Sequence, residues 1–102
     1  MSLVVHGRAS SSNVQAVMWG AGELDLEVDR RDVGGRFGGN DTPEFLAMNP
    51  FGRVPVLQDG DLTLFESPAI LRYLVAQYGA GRLNAGPIGD AWAEWAKNEM
   101  AR

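Results

Sequence analysis

The sequence contains no cysteine, and this absence excludes several kinds of chemistry at once. Without a thiol, the chain forms no disulfide, offers no thiolate to a metal and has no cysteine nucleophile. Histidine occurs only once, at His6, and a single histidine without cysteine cannot build a zinc site. His6 lies in a short apolar stretch, where we expect it to be a hydrogen-bonded core residue. No metal site is therefore predicted.

The sequence also lacks long apolar runs and an excess of positive charge. No apolar stretch approaches the ~20 residues that are needed to cross a bilayer, and no charged-then-apolar leader precedes the first predicted strand. The net charge is -4, which is unfavourable for binding nucleic acid or an anionic membrane surface. We therefore expect a cytoplasmic protein that binds neither nucleic acid nor membranes. Its 102 residues are enough for one domain.

Patterns of apolar residues, caps and turns predict the element order β-α-β-α-β-β-α. The capping box Ser12-x-x-Gln15 marks the start of the first helix, with Ser12 as the N-cap. Strands that alternate with helices and end in a hairpin predict an α/β fold with a four-stranded mixed sheet and helices on both faces. In the first half of the chain, the predicted strands are Leu3–His6 and Leu26–Arg31, and the predicted helices are Asn13–Leu24 and the short Pro43–Met48. A glycine-rich loop, Val33–Asn40, precedes the short helix.

The stretch NPFGRVPVLQDGDLTLFESPAILRYL, residues 49–74, organises the rest of the chain. It predicts two strands, Val54–Gln58 and Asp61–Phe65, joined by a turn at Asp59-Gly60, because Asp-Gly is favoured in two-residue hairpin turns. A helix follows, for which Ser67 offers an N-cap oxygen and Pro68 fits the first helical position. Gly79 is a natural end for this helix.

Two features of this stretch suggest ligand binding. Pro55 opens a strand, where proline is tolerated for purely structural reasons; a cis Val54-Pro55 bond would instead expose the N–H and C=O of Val54 to a ligand. At the next helix start, Glu66 and Ser67 meet a helix N-terminus. Glu66 can hold an ammonium group, while the Ser67 hydroxyl and the first-turn N–H groups can hold a carboxylate. An α-amino acid end carries that pair of charges.

The Val-Pro strand start followed by Glu-Ser at a helix start resembles the glutathione-binding half of the glutathione transferases. The similarity runs from about Val4 to Tyr78 and implies a thioredoxin-like domain over residues 1–78, with glutathione as co-substrate. In that family the proline is cis, and the residue before it pairs with the cysteinyl backbone of glutathione. The Glu-Ser pair holds the γ-glutamyl end. These roles fall on Val54, Pro55, Glu66 and Ser67.

Enzymes of this family convert the thiol of glutathione to a thiolate, and here a serine is the candidate for that task. The first seventy residues contain no tyrosine and the chain has no cysteine, which excludes tyrosine-type and cysteine-type sites. The candidates are Ser10, Ser11 and Ser12. The run Ser-Ser-Asn-Val is similar to the serine-type pattern Ser-x-Asn-Val, which points to Ser11 as the catalytic residue and leaves Ser12 to cap the helix. The alternative is that all three are loop and cap residues.

The sequence departs from this family at the position that holds the glycyl carboxylate of glutathione. The plant-type serine enzymes carry a His-Lys pair before the second helix, whereas the matching positions here are Asn40 and Asp41. An arginine could replace that cation. Arg8, Arg36 and Arg53 are candidates, and we favour Arg53 because it adjoins the Val-Pro element.

After residue 78 the composition changes. Residues 79–87 are predicted to be a linker, and residues 88–102 the first helix of an all-helical second domain that the resemblance implies and that is otherwise absent. Trp92 and Trp95 lie on the apolar side of this helix, which leads us to expect self-association, as a homodimer. Phe51, in the loop before the Val-Pro element, is either a core residue or an anchor into a second subunit.

The sequence therefore predicts a glutathione transferase that acts in detoxification, in which the thiolate attacks a small hydrophobic electrophile. We expect activity to be impaired in this chain alone, because the pocket for the electrophile lies mostly in the helical domain of such enzymes. The alternative is a non-catalytic binding or interaction module of the same family.

Overall fold

The structure, a computed structural model, describes residues 3–79 of the chain. Its elements are four strands, three α-helices and one 3-10 turn: β1 Leu3–His6, α1 Ser12–Glu23, β2 Val28–Arg31, the turn Gly35–Phe37, α2 Pro43–Met48, β3 Val56–Asp59, β4 Leu62–Phe65 and α3 Ser67–Tyr78. The predicted order is confirmed, with the 3-10 turn inside the glycine-rich loop. Residues 80–87 of the predicted linker and the predicted helix 88–102 lie outside the described residues.

The strands form one mixed sheet in the order β2-β1-β3-β4. β1 runs parallel to β2 and antiparallel to β3, and β3 runs antiparallel to β4. Val5 pairs with Arg30 on one side and with Leu57 on the other. β1 and β3 are the central strands, which are covered on both faces, and Val5 of β1 and Val56 and Leu57 of β3 are accordingly apolar and buried.

Helices cover both faces of the sheet, as predicted. Leu3, Val5 and Leu57 belong to the core cluster that packs against α1 and α3. Neighbouring side chains of a strand point to opposite faces, so His6 faces the other way, where Phe45 of α2 lies edge-on with ring centroids 6.5 Å apart. His6 Nε2 lies 2.7 Å from Gln58 Oε1, and the ring is buried. Its predicted role as a hydrogen-bonded core residue is confirmed.

Both predicted N-caps are displaced by one residue. Ser11, not Ser12, is the N-cap of α1: its backbone is extended, with φ -73° and ψ 128°, and its Oγ accepts a hydrogen bond from the N–H of Val14. At α3 the N-cap position belongs to Glu66, and Ser67 is the first helical residue. An N-cap must have non-helical backbone angles, and Ser12 and Ser67 are already inside their helices.

The hairpin turn is also displaced by one residue. Asp59 pairs with Leu62, so the two turn residues are Gly60 and Asp61 instead of Asp59 and Gly60. Only Gly60 has a positive φ, of 58°. Glycine at the first central position is typical of a type II′ turn.

Candidate functional site

The end of β1 brings the start of α1 close to the loop before β3. At Gly7 a Cβ atom would overlap a methyl carbon of Val14 and lie 3.3 Å from the Cβ of Val54. Glycine is required where two parts of the backbone approach this closely. The approach places Ser11, at the start of α1, and Val54, before β3, on the wall of the same cavity.

Ser11 is buried, and its O–H has no acceptor among residues 3–79. Its Oγ accepts from the N–H of Val14 at 3.4 Å. A serine hydroxyl has two acceptor lone pairs and one O–H donor, so this capping bond leaves the hydrogen available for a ligand. The hydroxyl also lies at the positive end of the α1 dipole, which favours a nearby anion.

The loop before β3 is held by one buried side chain. Asn49 Nδ2 donates to the carbonyl oxygen of Arg53 at 2.9 Å, and Asn49 Oδ1 accepts from the N–H of Phe51 at 3.0 Å. These bonds fix the backbone that leads into Val54. The Val54-Pro55 bond is cis, as the resemblance implied. Within residues 3–79, neither the N–H nor the C=O of Val54 makes a hydrogen bond.

The start of α3 presents a carboxylate beside free N–H groups. Glu66 has φ 76° and ψ 117°, an uncommon conformation for a non-glycine residue. Its side chain is exposed and makes no hydrogen bond or ion pair within the described part of the chain. Ser67 is buried, and its Oγ donates to Asn13 Oδ1 at 3.5 Å. No helical carbonyl can reach the N–H groups of Ser67 and Ala69, because they lie in the first turn.

Two adjacent cavities, which together we call the groove, connect these features. The larger, of about 250 Å³, is lined by Arg8, Ser11, Asn13, Gly34, Asn40, Gly52, Arg53 and Val54. The smaller, of about 70 Å³, is lined by Asn13, Asn49, Arg53, Val54, Pro55, Glu66 and Ser67. All six predicted site residues therefore line the groove. Arg36 lines neither cavity; its guanidinium lies 4.9 Å from the centre of the Phe37 ring.

The structure adds two asparagines that the sequence interpretation left without a role. Asn13 lines both cavities and bonds to Ser67, so it connects the two helix starts. The sequence feature that could have identified Asn13 as a site residue is its position in the Ser-x-Asn-Val pattern. Asn49 was interpreted only as a helix end, although a buried Asn beside Pro is well suited to bonding the turn backbone two residues later.

No group of three or more His, Asp or Glu side chains that could hold a metal occurs within residues 3–79. Within the same residues, each helix is too short or too polar to cross a membrane.

Comparison with known proteins identifies the family. The model of the glutathione S-transferase N-terminal domain matches residues 1–76. The chain belongs to the glutathione S-transferase family. Glutathione S-transferase GstB of Escherichia coli K12 is 41% identical over 106 residues, which cover 97% of this chain and 51% of that protein. Glutathione S-transferase 4 of Zea mays is 37% identical over 95% of this chain and 46% of its own length.

Solved structures agree with this assignment. The theta-class glutathione S-transferase of Xanthomonas axonopodis pv. citri, solved with glutathione bound, is 44% identical with a TM-score of 0.83, covering 98% of this chain and 50% of that one. Glutathione transferase F7 of Populus trichocarpa is 36% identical with a TM-score of 0.73, over 76% of this chain and 37% of that one. The predicted thioredoxin-like fold is confirmed. The chain spans about half the length of the relatives it matches.

Proposed function

We propose that this chain is the glutathione-binding half of a glutathione transferase and binds glutathione along the groove. The observation that carries the proposal is the arrangement of three groups without partners in the described structure: the Glu66 carboxylate, the Val54 backbone and the Ser11 O–H. They line two adjacent cavities that share Asn13, Arg53 and Val54. A tripeptide with an ammonium, a peptide backbone and a thiol offers one complementary group to each.

In the proposed complex, the γ-glutamyl end occupies the smaller cavity. Its ammonium contacts Glu66, and its carboxylate accepts from first-turn N–H groups of α3. The Ser67 hydroxyl, which donates to Asn13 Oδ1 in this structure, turns toward the ligand carboxylate when glutathione binds. The cysteinyl backbone pairs with the N–H and C=O of Val54, as in strand addition. Pro55 ends this pairing because it has no N–H. The sulfur then lies toward Ser11 in the larger cavity.

Ser11 is proposed to stabilise the thiolate by donating its O–H to the sulfur. A free thiol has a pKa near 8.5, and lowering it by about two units requires about 2.7 kcal/mol of extra stabilisation of the anion. A hydrogen bond to a charged group contributes about 1.5–3 kcal/mol, and a helix N-terminus adds about 0.3–1 kcal/mol. These two contributions are sufficient without a general base.

The thiol proton passes to solvent, and the thiolate sulfur then forms a bond to the electrophilic carbon of a hydrophobic substrate, as expected for detoxification. In an addition the substrate takes up a proton from solvent, and in a displacement the leaving group departs with the bonding electron pair. We propose no role for a metal, a nucleic acid or a membrane in this function, and we propose that the protein acts in the cytoplasm. The chain spans about half the length of its relatives, and the activity of the whole protein on electrophiles is part of this proposal.

The test is the thiol pKa of glutathione bound to the protein, measured from the ultraviolet absorbance of the thiolate as pH is raised. We expect Ser11→Ala to raise this pKa by about 1–2 units, the equivalent of one charged hydrogen bond. Ser10→Ala and Ser12→Ala are matched controls and should leave it unchanged. An unchanged pKa in Ser11→Ala would contradict the catalytic role of Ser11.

A second candidate function is a non-catalytic module that binds a partner or a second copy of itself. Two observations favour it: Asp41 stands where the plant-type enzymes have a cation, and Phe51 is 71% exposed. In this case glutathione binds without a lowered thiol pKa, or does not bind. The pKa measurement therefore separates the two functions.

A further inference from the structure

Arg8 is a half-buried cation that has no anionic partner in the part of the chain that the structure describes. Its backbone is held on both sides: its N–H donates to Val33 O at 2.9 Å, and its C=O accepts from Ser11 N at 3.2 Å. Its guanidinium makes no hydrogen bond or ion pair with any of residues 3–79. A guanidinium is always charged and binds carboxylates through its paired N–H groups. The partner of Arg8 is therefore to be sought among ligands.

The glycine-rich loop holds the Arg8 side chain in place. Gly34 and Gly35 have φ of 91° and 56°, and the side chain of Arg8 packs against both. A Cβ on Gly34 would lie 3.0 Å from Arg8 Nη1, and a Cβ on Gly35 would lie 2.8 Å from Arg8 Cδ and Nε. Two consecutive residues without side chains therefore form the surface on which the arginine rests. A side chain that is already ordered loses less entropy when it binds a ligand.

The larger cavity has a positive charge balance among its described lining residues. Arg8 and Arg53 line it, and no carboxylate does. Asn40, at one of the positions that matches the cationic pair of the plant-type enzymes, donates its amide to Gly52 O at 2.9 Å. Arg53 is exposed and also lines the smaller cavity beside Glu66. Arg8 is the more buried of the two arginines, and its charge is less screened by solvent.

We propose that Arg8, positioned by Gly34 and Gly35, binds the glycyl carboxylate of glutathione. This inference rests on the proposed function and names a new position for one subsite. The cation comes from the loop after β1 instead of the segment before α2, where Asn40 and Asp41 stand. Arg8, and not Arg53 as the sequence favoured, is then the main determinant of selectivity for a charged glycyl end.

The test compares two ligands on the full chain: glutathione and its ethyl ester at the glycyl carboxylate, in which that negative charge is removed and an ethyl group is added. Binding is measured by calorimetry. A charge-assisted hydrogen bond contributes about ten- to hundredfold in affinity, so we expect the unaltered protein to prefer glutathione over the ester by about that factor. In Arg8→Gln, glutathione should bind as weakly as the ester, and the preference should disappear.

Two variants are matched to this change. Arg36→Gln removes the same charge from a neighbouring exposed position that lines neither cavity, and should retain the full preference. Gly35→Ala keeps the guanidinium but displaces it, and should reduce the preference. In the unaltered protein, the Nε–H resonance of Arg8 should shift with glutathione and not with the ester, which tests the contact without relying on a variant that folds.

The outcomes are distinct. Loss of the preference in Arg8→Gln together with the Nε–H shift supports the inference. Retention of the preference in Arg8→Gln, or its loss in Arg53→Gln alone, overturns it and leaves the proposed function intact. If the unaltered protein binds neither ligand, the proposed function fails and this inference fails with it.

Discussion

At the scale of single residues, Glu66 combines an unusual backbone conformation with a proposed role in binding glutathione. A non-glycine residue at positive φ costs about 1–3 kcal/mol, and Glu66 has φ 76°. We expect Glu66→Gly to raise the free energy of unfolding by up to about 1 kcal/mol, while glutathione binding is weakened because the carboxylate is lost. Urea unfolding and calorimetry measure the two effects.

Glu66→Gln is the control for this prediction. It keeps the Cβ and removes only the charge, so stability should stay within about 0.5 kcal/mol, as for most surface substitutions, while affinity falls. If Glu66→Gly were less stable than the unaltered protein, the conformation at this position would not be strained.

The sequence predicted which residues line the groove better than it predicted their local geometry. Val54, Pro55, Glu66 and Ser67, which all line the groove, could be singled out because a proline at a strand start and an acid-serine pair at a helix start are unusual and informative. The caps could not be predicted to the residue. Each of three consecutive serines can cap a helix, so local sequence does not separate them. The structure places Ser11 on the same cavity wall as Val54, which comes from a distant part of the chain.

At the scale of elements, Gly7 controls the approach of α1 to the sheet. A Cβ at Gly7 would overlap Val14, and overpacking of this kind costs about 1–3 kcal/mol. We expect Gly7→Ala to lower the free energy of unfolding by that amount and to weaken glutathione binding, because Ser11 and Val54 move apart. Denaturant unfolding and ligand titration would show both effects.

Gly22→Ala is the matched control. Gly22 is exposed in α1, and a Cβ there meets nothing within 4 Å. Alanine is the better helix former by about 0.8–1 kcal/mol, so this variant should be more stable with unchanged binding. Equal destabilisation by both substitutions would show that the contact at Gly7 is unimportant.

A second element-scale prediction concerns the connection of α3 to the hairpin. The hydroxyls of Tyr73 and Tyr78 both donate to Asp59 Oδ2 at 2.5 Å. The bond from Tyr73, and then that from Tyr78, lowers the pKa of Asp59 below its ordinary value of 3.8. The same bonds to Asp59 raise the pKa of both tyrosines above 10.0.

The signs follow from linkage. The contribution of Asp59 is present above about pH 4 and is lost as the pH falls through its lowered pKa. The contribution of the tyrosines is present below about pH 10 and is lost as the pH rises through their raised pKa values. A plot of the free energy of unfolding against pH should therefore be flatter at both the acid and the alkaline extreme for Asp59→Asn than for the unaltered protein. Identical plots for the two proteins would contradict the role of this cluster.

The sequence predicted the number and order of elements because apolar periodicity and turn residues are local signals. It misplaced the start of β2, predicted at Leu26 and found at Val28. The physical reason is the end of α1, where Asp25 has φ 56° and Leu26 N–H donates to Ala21 O at 3.0 Å. Leu26 therefore belongs to a helix-ending Schellman turn, in which an aspartate takes the left-handed position usually held by glycine.

At the scale of the whole molecule, we predict a homodimer in which Phe51 contacts the second copy. Its side chain is 71% exposed, and its ring lies 6.0 Å from that of Phe65. Aromatic residues, phenylalanine among them, are enriched at protein interfaces relative to the rest of the surface. Phe51→Ser should shift the protein from dimer to monomer in light scattering.

Phe37→Ser is a suitable control, because Phe37 is also exposed, at 45%, but lies in the glycine-rich loop beneath Arg36. It should leave the dimer intact. A monomer in the unaltered protein at high concentration would contradict the prediction, and so would equal dissociation by both variants. The tryptophans that first suggested self-association, Trp92 and Trp95, lie outside the described residues.

The central claim is that the groove between α1, the Val-Pro loop and α3 binds glutathione. The most direct measurement is a titration of glutathione into the isotopically labelled protein, followed by backbone amide NMR. The account predicts shifts concentrated at Ser11, Val54, Glu66 and Ser67, with little change at Asp59 and Tyr78 at the opposite end of β3. No shifts at millimolar glutathione, or shifts centred elsewhere, would contradict it.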